Sequence, residues 1–247
     1  MGTATHHGVD GVEVGSYHLG RLAAFLGADL LGALDELHDG DLLRRMEAQL
    51  AGEPTWQTKR FGSVWDLRLY RIGLYALVRA TRPGVFVETG VLHGLTSAFL
   101  LEALERNGEG RLLSVDLPSY AETGPANADG YDATLPPGRE PGWAVPDDLR
   151  GRWDLHLGAS LEVLPRALPS GGIGAFLHDS EHTEATMRGE LELAWEALRP
   201  GGLLICDNAL DTTAFEDFCR RVVREPLMLP APDLRPAKEV RWGLIRR

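Results

Sequence analysis

The chain has 247 residues, 44% hydrophobic and 25% charged, enough apolar material for one sizeable core or two small ones. Its 25 basic and 36 acidic side chains leave a net charge of −11, which repels phosphate backbones and anionic lipid and argues against nucleic acid and membrane as partners. No apolar run approaches the roughly 20 residues that cross a bilayer, the start MGTATHHGVDGVEVG lacks the regions of a signal peptide, and Cys206 and Cys219 lack metal-site or disulfide spacing, so a cytoplasmic chain with reduced, structural thiols is expected.

From Tyr17 to Leu50 apolar residues recur at helical spacing: Leu19, Leu22, Ala23 and Leu26, then Leu30, Leu34 and Leu37, then Leu42, Leu43, Met46 and Leu50. Gly27, Gly32 and Gly40 interrupt them, which predicts short helices rather than one long one. A longer helix is predicted over 63–81, with Trp65, Leu69, Ile72, Ala76 and Arg79 on one face and Arg82-Pro83-Gly84 as its stop. After Gly84 the period changes. VFVET reads as a strand, LTSAFLLEALERNG as an amphipathic helix ending at Asn107-Gly108, and RLLSVD as a second buried strand.

Residues 117–152 come next, with six prolines and five glycines; a connection this long is a functional loop or disorder. Then come the strand WDLHLG, a helix over SLEVLPRAL, the strand IGAFLHD, the helix TEATMRGELELAWEAL, the turn RPGG and the strand LLICDN. PLMLPA and EVRWGLIRR predict a closing hairpin with an antiparallel strand at the sheet edge. This alternation predicts an α/β fold, a doubly wound and mostly parallel sheet with helices on both faces.

The turn after the first strand carries ExGxxxG, with Glu88, Gly90 and Gly94. Glycines there let the backbone pass close to a ligand, and the following helix offers its N–H groups; a plain glycine turn is the ordinary alternative. The GxGxxG that seats a pyrophosphate is absent, which disfavours NAD, FAD and a dehydrogenase. The second strand ends in Asp116, the position from which a carboxylate reaches both hydroxyls of a ribose. A nucleoside without a pyrophosphate fits both features, and S-adenosylmethionine is the candidate.

With these residues the chain resembles the class I S-adenosylmethionine-dependent methyltransferases, which implies a seven-stranded Rossmann-like sheet. The resemblance implies that Glu88 receives the amino end of the methionine part, that Gly90 and Gly94 make room for it, and that Thr96 hydrogen-bonds nearby. It further implies that Asp116 holds the ribose and that Ala159 and Ser160 border the adenine. A helix N-cap is the alternative for Ser160.

Asp179 follows the strand IGAFL, and Asp207-Asn208 follow the strand LLIC. One helix and one turn lie between, so a right-handed crossover brings all three side chains to the carboxyl edge, roughly 5 Å apart if the strands are neighbours. Two carboxylates and an amide are hard oxygen ligands suited to Mg²⁺. Without a cation, Asp179 is a cofactor contact or a helix-start anion, and Asp207-Asn208 a strand-end turn. The spacing from Asp179 to Asp207-Asn208 resembles the metal triad of catechol-type O-methyltransferases. HDSEHT and RPGG resemble the bacterial macrocin-type sugar and antibiotic O-methyltransferases, which commonly carry an aspartate where this chain has Asn208. His182, three residues beyond Asp179, is the candidate general base, with a helix cap as its alternative. His178 is expected to be structural.

The expectation is therefore a helical extension or lid over residues 1–62, and a methyltransferase domain over 63–247 whose loop 117–152 covers the active site. Asp179 is a candidate in the chemistry, the cofactor site and the metal site. The function expected is Mg²⁺-assisted O-methylation of a small molecule, a sugar or an intermediate of antibiotic biosynthesis, with room for a homo-oligomer. The alternatives are N-methylation and a methyltransferase-like binding module without catalysis.

Overall fold

The computed structural model describes residues 18–50, 69–120, 122–124, 126, 128, 134–230 and 241–247. Its strands are Val85–Thr89 (β1), Arg111–Asp116 (β2), Trp153–Leu157 (β3), Ile173–His178 (β4), Leu198–Cys206 (β5), Leu227–Pro230 (β6) and Arg241–Arg246 (β7). They form a seven-stranded sheet in the order β3-β2-β1-β4-β5-β7-β6. The first five strands are parallel. Strand order reverses between β1 and β4, the point at which doubly wound sheets open a crevice at their carboxyl edge.

Side chains on a strand point alternately to the two faces, so a run that is apolar throughout feeds two cores. Phe86, Ala175, Leu177, Leu203, Ile205 and Leu244 face one core, while Val87, Phe176, Leu204 and Ile245 face the other. The first core is covered by helices 18–26 (α1), Leu31–Asp39 (α2), Leu42–Leu50 (α3), Leu69–Thr81 (α4) and Leu95–Asn107 (α5). The second is covered by Ser160–Ala167 (α6), Glu184–Ala197 (α7) and Ala214–Arg221 (α8). None of the helices among the described residues is long and apolar enough to cross a membrane.

Several expectations change. RPGG is part of β5 rather than a turn ahead of it. Ile173 pairs with Leu198 and Ala175 with Leu203, so residues 199–202 bulge from the ladder. The antiparallel strand is β7, and it enters between β5 and β6 instead of lying at the edge. Helix α4 does not bury a single stripe: Leu74, Tyr75, Ala76, Leu77 and Val78 are all inaccessible, because α2 packs on one side and α5 on the other. Residues 63–68 of the expected helix lie outside the described residues. Helix α8 was not anticipated, although Ala214, Phe215, Phe218 and Cys219 carry helical spacing and are buried.

The long connection is ordered where it returns to the sheet. A 3₁₀ turn spans Asp147–Arg152. Just before it, the N–H groups of Gly142 and Ala144 donate to the carbonyls of Leu92 and His93, at 2.7 and 3.0 Å. The Trp143 indole donates to His93 Nδ1 at 2.9 Å. Gly94 has φ +85°, and a Cβ there would lie 2.6 Å from Val145 Cγ2 and 2.7 Å from Gly142 Cα. This glycine makes room for the protein's own loop.

Candidate active site

Ladder hydrogen bonds continue one residue past the strand ends and hold the first residue of each connection in place. Gly90 N donates to Val115 O at 2.9 Å, Asp179 N to Thr89 O at 3.0 Å, and Asp207 N to His178 O at 2.8 Å. Gly90 has φ +85°, and a Cβ there would overlap the Asp179 carbonyl. A glycine is therefore required both by the turn and by the close passage of the β4 end.

This register brings Asp179, His182 and Asp207 together, with one ligand-type atom of each within 4.8 Å of the others. The two carboxylates are hydrogen-bonded to each other. Burial, the charges of Asp207 and Glu88, and that hydrogen bond push Asp179 well above the usual carboxylate range, with Arg71 opposing. The Tyr70 hydroxyl donates to Asp179 Oδ2 at 3.3 Å. Burial and the nearby acids also raise Tyr70, which keeps it a phenol and a donor. Asn208 has φ +49°, and its Nδ2 donates outward to Asp211 at 3.1 Å. The third group at the carboxylates is thus the His182 imidazole.

His182 lies just ahead of α7. Thr183 is the N-cap, its Oγ1 accepting from Thr186 N at 3.3 Å. The His182 ring meets His178 edge to face, with centroids 5.4 Å apart. His178 is fully buried, and its Nδ1 lies 2.7 Å from Glu190 Oε2.

Glu190 gathers the elements beneath the site. Thr89 at the end of β1 donates to it at 2.5 Å and Ser180 after β4 at 2.6 Å. Ser160, the first residue of α6, bonds to it as well. Burial alone would raise Glu190, but the His178 imidazole and the Ser160 and Ser180 hydroxyls hold it below the usual carboxylate value. Ser160 does not cap its helix; Ala159 occupies the N-cap position.

Glu88 is fully buried, since the alternation of β1 turns it to the same face as Phe86. Its Oε2 accepts from Ser97 at 2.7 Å and from Ser114 at 2.8 Å, and the Trp153 indole donates to Ser114 at 2.9 Å. Its Oε1 has no hydrogen-bond partner among the described residues. Burial raises Glu88 to about 7 against the pull of the two serines, with Asp116 adding to the rise. Asp116 Oδ1 accepts from Val91 N at 2.6 Å and Leu92 N at 3.1 Å, which ties the glycine turn to the β2 end. Burial raises Asp116 too. Thr96 accepts from Arg71 Nε at 3.4 Å.

Sequence reading did not find Tyr70, Arg71, Ser97, Ser114 or Glu190. Glu190 had a signal, an acid within the apolar stripe Met187, Leu191, Ala194. Both cysteines are free and buried, and burial raises both thiols, Cys219 to about 12.

Glu88 near the end of β1 and Asp116 at the end of β2 flank a glycine turn at the switch point, where doubly wound sheets open a ligand crevice. Residues 87–209 match the family model described as a methyltransferase domain. Among solved structures, the O-methyltransferase of Bacillus cereus in complex with S-adenosylhomocysteine is 14% identical, with 85% of this chain and 92% of that one covered and a TM-score of 0.54. The S-adenosylhomocysteine-bound methyltransferase PaMTH1 of Podospora anserina is 13% identical, covering 100% and 99% at 0.52. TomG of Streptomyces achromogenes, an O-methyltransferase involved in tomaymycin synthesis and bound to S-adenosylmethionine, is 13% identical, covering 84% and 90% at 0.51. The curated proteins contain no match. Over residues 87–209 the chain is a methyltransferase domain, and its fold is that of the class I S-adenosylmethionine-dependent methyltransferases.

Proposed function

We propose that the protein transfers the methyl group of S-adenosylmethionine to a hydroxyl oxygen of a small molecule, with a divalent cation, Mg²⁺ by ligand type, at Asp179 and Asp207. The observation that carries this reading is the contact between those two carboxylates beside the Gly90 turn. Neighbouring half-buried carboxylates favour a proton or a cation between them. Hard oxygen donors with positions left for water and substrate suit Mg²⁺, to which the Asn208 amide would add only by turning from Asp211. A cation bound there supplies Lewis acidity to the acceptor hydroxyl.

The remaining work falls to the chain. Glu88 Oε1, buried and without a partner, fits the ammonium of the methionine part. Asp116 Oδ1 is committed to the turn, so ribose recognition falls to Oδ2. Leu117 and Leu157 are exposed at adjoining strand ends, and an adenine beside Ala159 would cover them. His182 takes the acceptor's proton; the O–C bond forms as the C–S bond breaks, and the electron pair returns to sulfur. Residues 117–152 and the N-terminal helices cover the acceptor and exclude water. Sugar or antibiotic-type hydroxyls are the favoured acceptors, supported by the HDSEHT and RPGG stretches.

Dialysis against EDTA followed by Mg²⁺ titration tests the cation: turnover is expected to fall and to return. Undiminished turnover after dialysis would remove the cation from the reading. His182→Ala separates a base from a ligand. As the base, its loss lowers kcat about 10²–10⁴-fold and leaves the half-activating Mg²⁺ concentration unchanged. A raised half-activating concentration would reassign His182 to the cation.

A further inference from the structure

Consecutive residues of the first turn of α5 receive opposite charges. Thr96 Oγ1 accepts from the Arg71 guanidinium at 3.4 Å, and the Ser97 hydroxyl donates to the buried Glu88 carboxylate at 2.7 Å. The turn itself has no side-chain cap, because Gly94 stands at the N-cap position. Its first N–H groups therefore lack intrahelical partners. Glu88 Oε1, fully buried, has no partner either. One side of this turn thus presents a carboxylate oxygen, while the other presents the Arg71 guanidinium and the N–H groups of an uncapped helix start. An α-amino acid zwitterion supplies the complement to both on a single carbon.

We infer that Arg71 is the residue that binds the carboxylate of the methionine part of S-adenosylmethionine, opposite Glu88, which takes the ammonium. The inference rests on the cofactor reading above and assigns a further residue to it. Arg71 lies at the amino end of α4, whose neighbouring Tyr70 reaches Asp179. Helix α4 therefore contributes to both halves of the site, the cofactor's amino acid through Arg71 and the acidic pair through Tyr70. A guanidinium suits the task because its planar fork matches a carboxylate, and because it keeps its charge among the acids at this edge. The α5 N–H groups and the Thr96 hydroxyl complete the carboxylate's shell.

Calorimetry with two ligands tests the assignment. S-adenosylhomocysteine carries both ionic groups; its decarboxylated analogue, S-adenosyl-3-thiopropylamine, keeps the ammonium and loses the carboxylate. Arg71→Gln is expected to weaken S-adenosylhomocysteine about 10- to 100-fold and to leave the analogue within about twofold. Arg71→Lys, which keeps the charge without the fork, is expected to recover part of the loss. Comparing two ligands on one variant separates a lost contact from a damaged fold, which weakens both alike. Equal weakening of both ligands, or unchanged binding of S-adenosylhomocysteine, would overturn the assignment and return Arg71 to a role at the acidic pair or in packing. Failure of the unaltered protein to bind S-adenosylhomocysteine would overturn the cofactor reading itself, and the inference with it.

Discussion

Glu88 sits where the alternation of β1 turns its side chain into the face that holds Phe86, and burial there lifts its pKa to about 7 from an ordinary 4.5. A carboxyl raised on folding favours the fold below its ordinary value, and that contribution is lost as pH rises through about 7. At pH 8 the ionised group costs roughly 3 kcal/mol as an upper figure. A ligand ammonium at Oε1 relieves that cost. Glu88→Gln is therefore expected to raise the melting temperature of the ligand-free protein at pH 8, to change it little at pH 4.5, and to shrink the stabilisation by S-adenosylhomocysteine at pH 8. Thermal melts at both pH values, with and without the ligand, check this. A variant that melts no higher than the unaltered protein at pH 8 would show that the orphaned oxygen is not under strain. The positions of Asp116, Asp179 and Asp207 were legible in the sequence, because a residue at or just past the end of a parallel strand reaches the carboxyl edge whatever the packing. Arg71 and Tyr70 were not, because they approach from a helix that precedes the sheet, and only tertiary packing decides which side of it turns inward.

The elements meet at Glu190, which belongs to α7 and accepts from the last residues of β1 and β4, Thr89 and His178, and from Ser180. Removing a buried charged acceptor leaves several donors without partners, so Glu190→Ala is expected to cost roughly 3–5 kcal/mol in urea unfolding at pH 7. Glu190→Gln keeps an acceptor oxygen and should cost less. Folding lowers the Glu190 pKa, so this stabilisation is present above its ordinary value of 4.5 and is lost as pH falls through the lower folded value. The curves of variant and unaltered protein should therefore converge in acid. A loss below about 1 kcal/mol at pH 7 would show that solvent or a rearranged neighbour replaces the carboxylate. At this scale most of the fold was legible, because the change of period at Gly84 and the later alternation separate strands from helices. What failed depends on partners distant in sequence. RPGG has turn chemistry, and only the shifted register against β4 turns it into a bulge. Nothing local states that β7 enters between β5 and β6.

For the molecule as a whole, the open matter is whether residues 1–62 are a cover added to the sheet or part of its core. Leu22, Leu30, Leu37, Leu42, Met46 and Leu50 are buried in the same cluster as Phe86, Phe99, Leu177 and Trp242. At roughly 1.5–3 kcal/mol for each fully buried aliphatic side chain, that contact is of order 10 kcal/mol. Whole domains are stable by only about 5–15 kcal/mol. Ion pairs fasten the same helices: Arg45 of α3 bridges the buried Glu102 of α5 and Asp148 of the long connection, and Glu36 of α2 binds Arg79 of α4 at 2.6 Å. Without α3, Glu102 would keep only Arg106 as its ion-pair partner among the described residues. We therefore expect residues 63–247 expressed alone to be insoluble or to melt without a cooperative transition, while the full chain unfolds in one step. Calorimetric scans of both proteins make the comparison. A soluble 63–247 protein that melts within a few degrees of the full chain would mean that the helices cover a self-sufficient domain, and acceptor entry could then be controlled by their opening. If the truncated protein cannot fold, acceptor access must instead be sought in the connection 117–152, which already grips the glycine turn after β1 through Gly142 and Ala144.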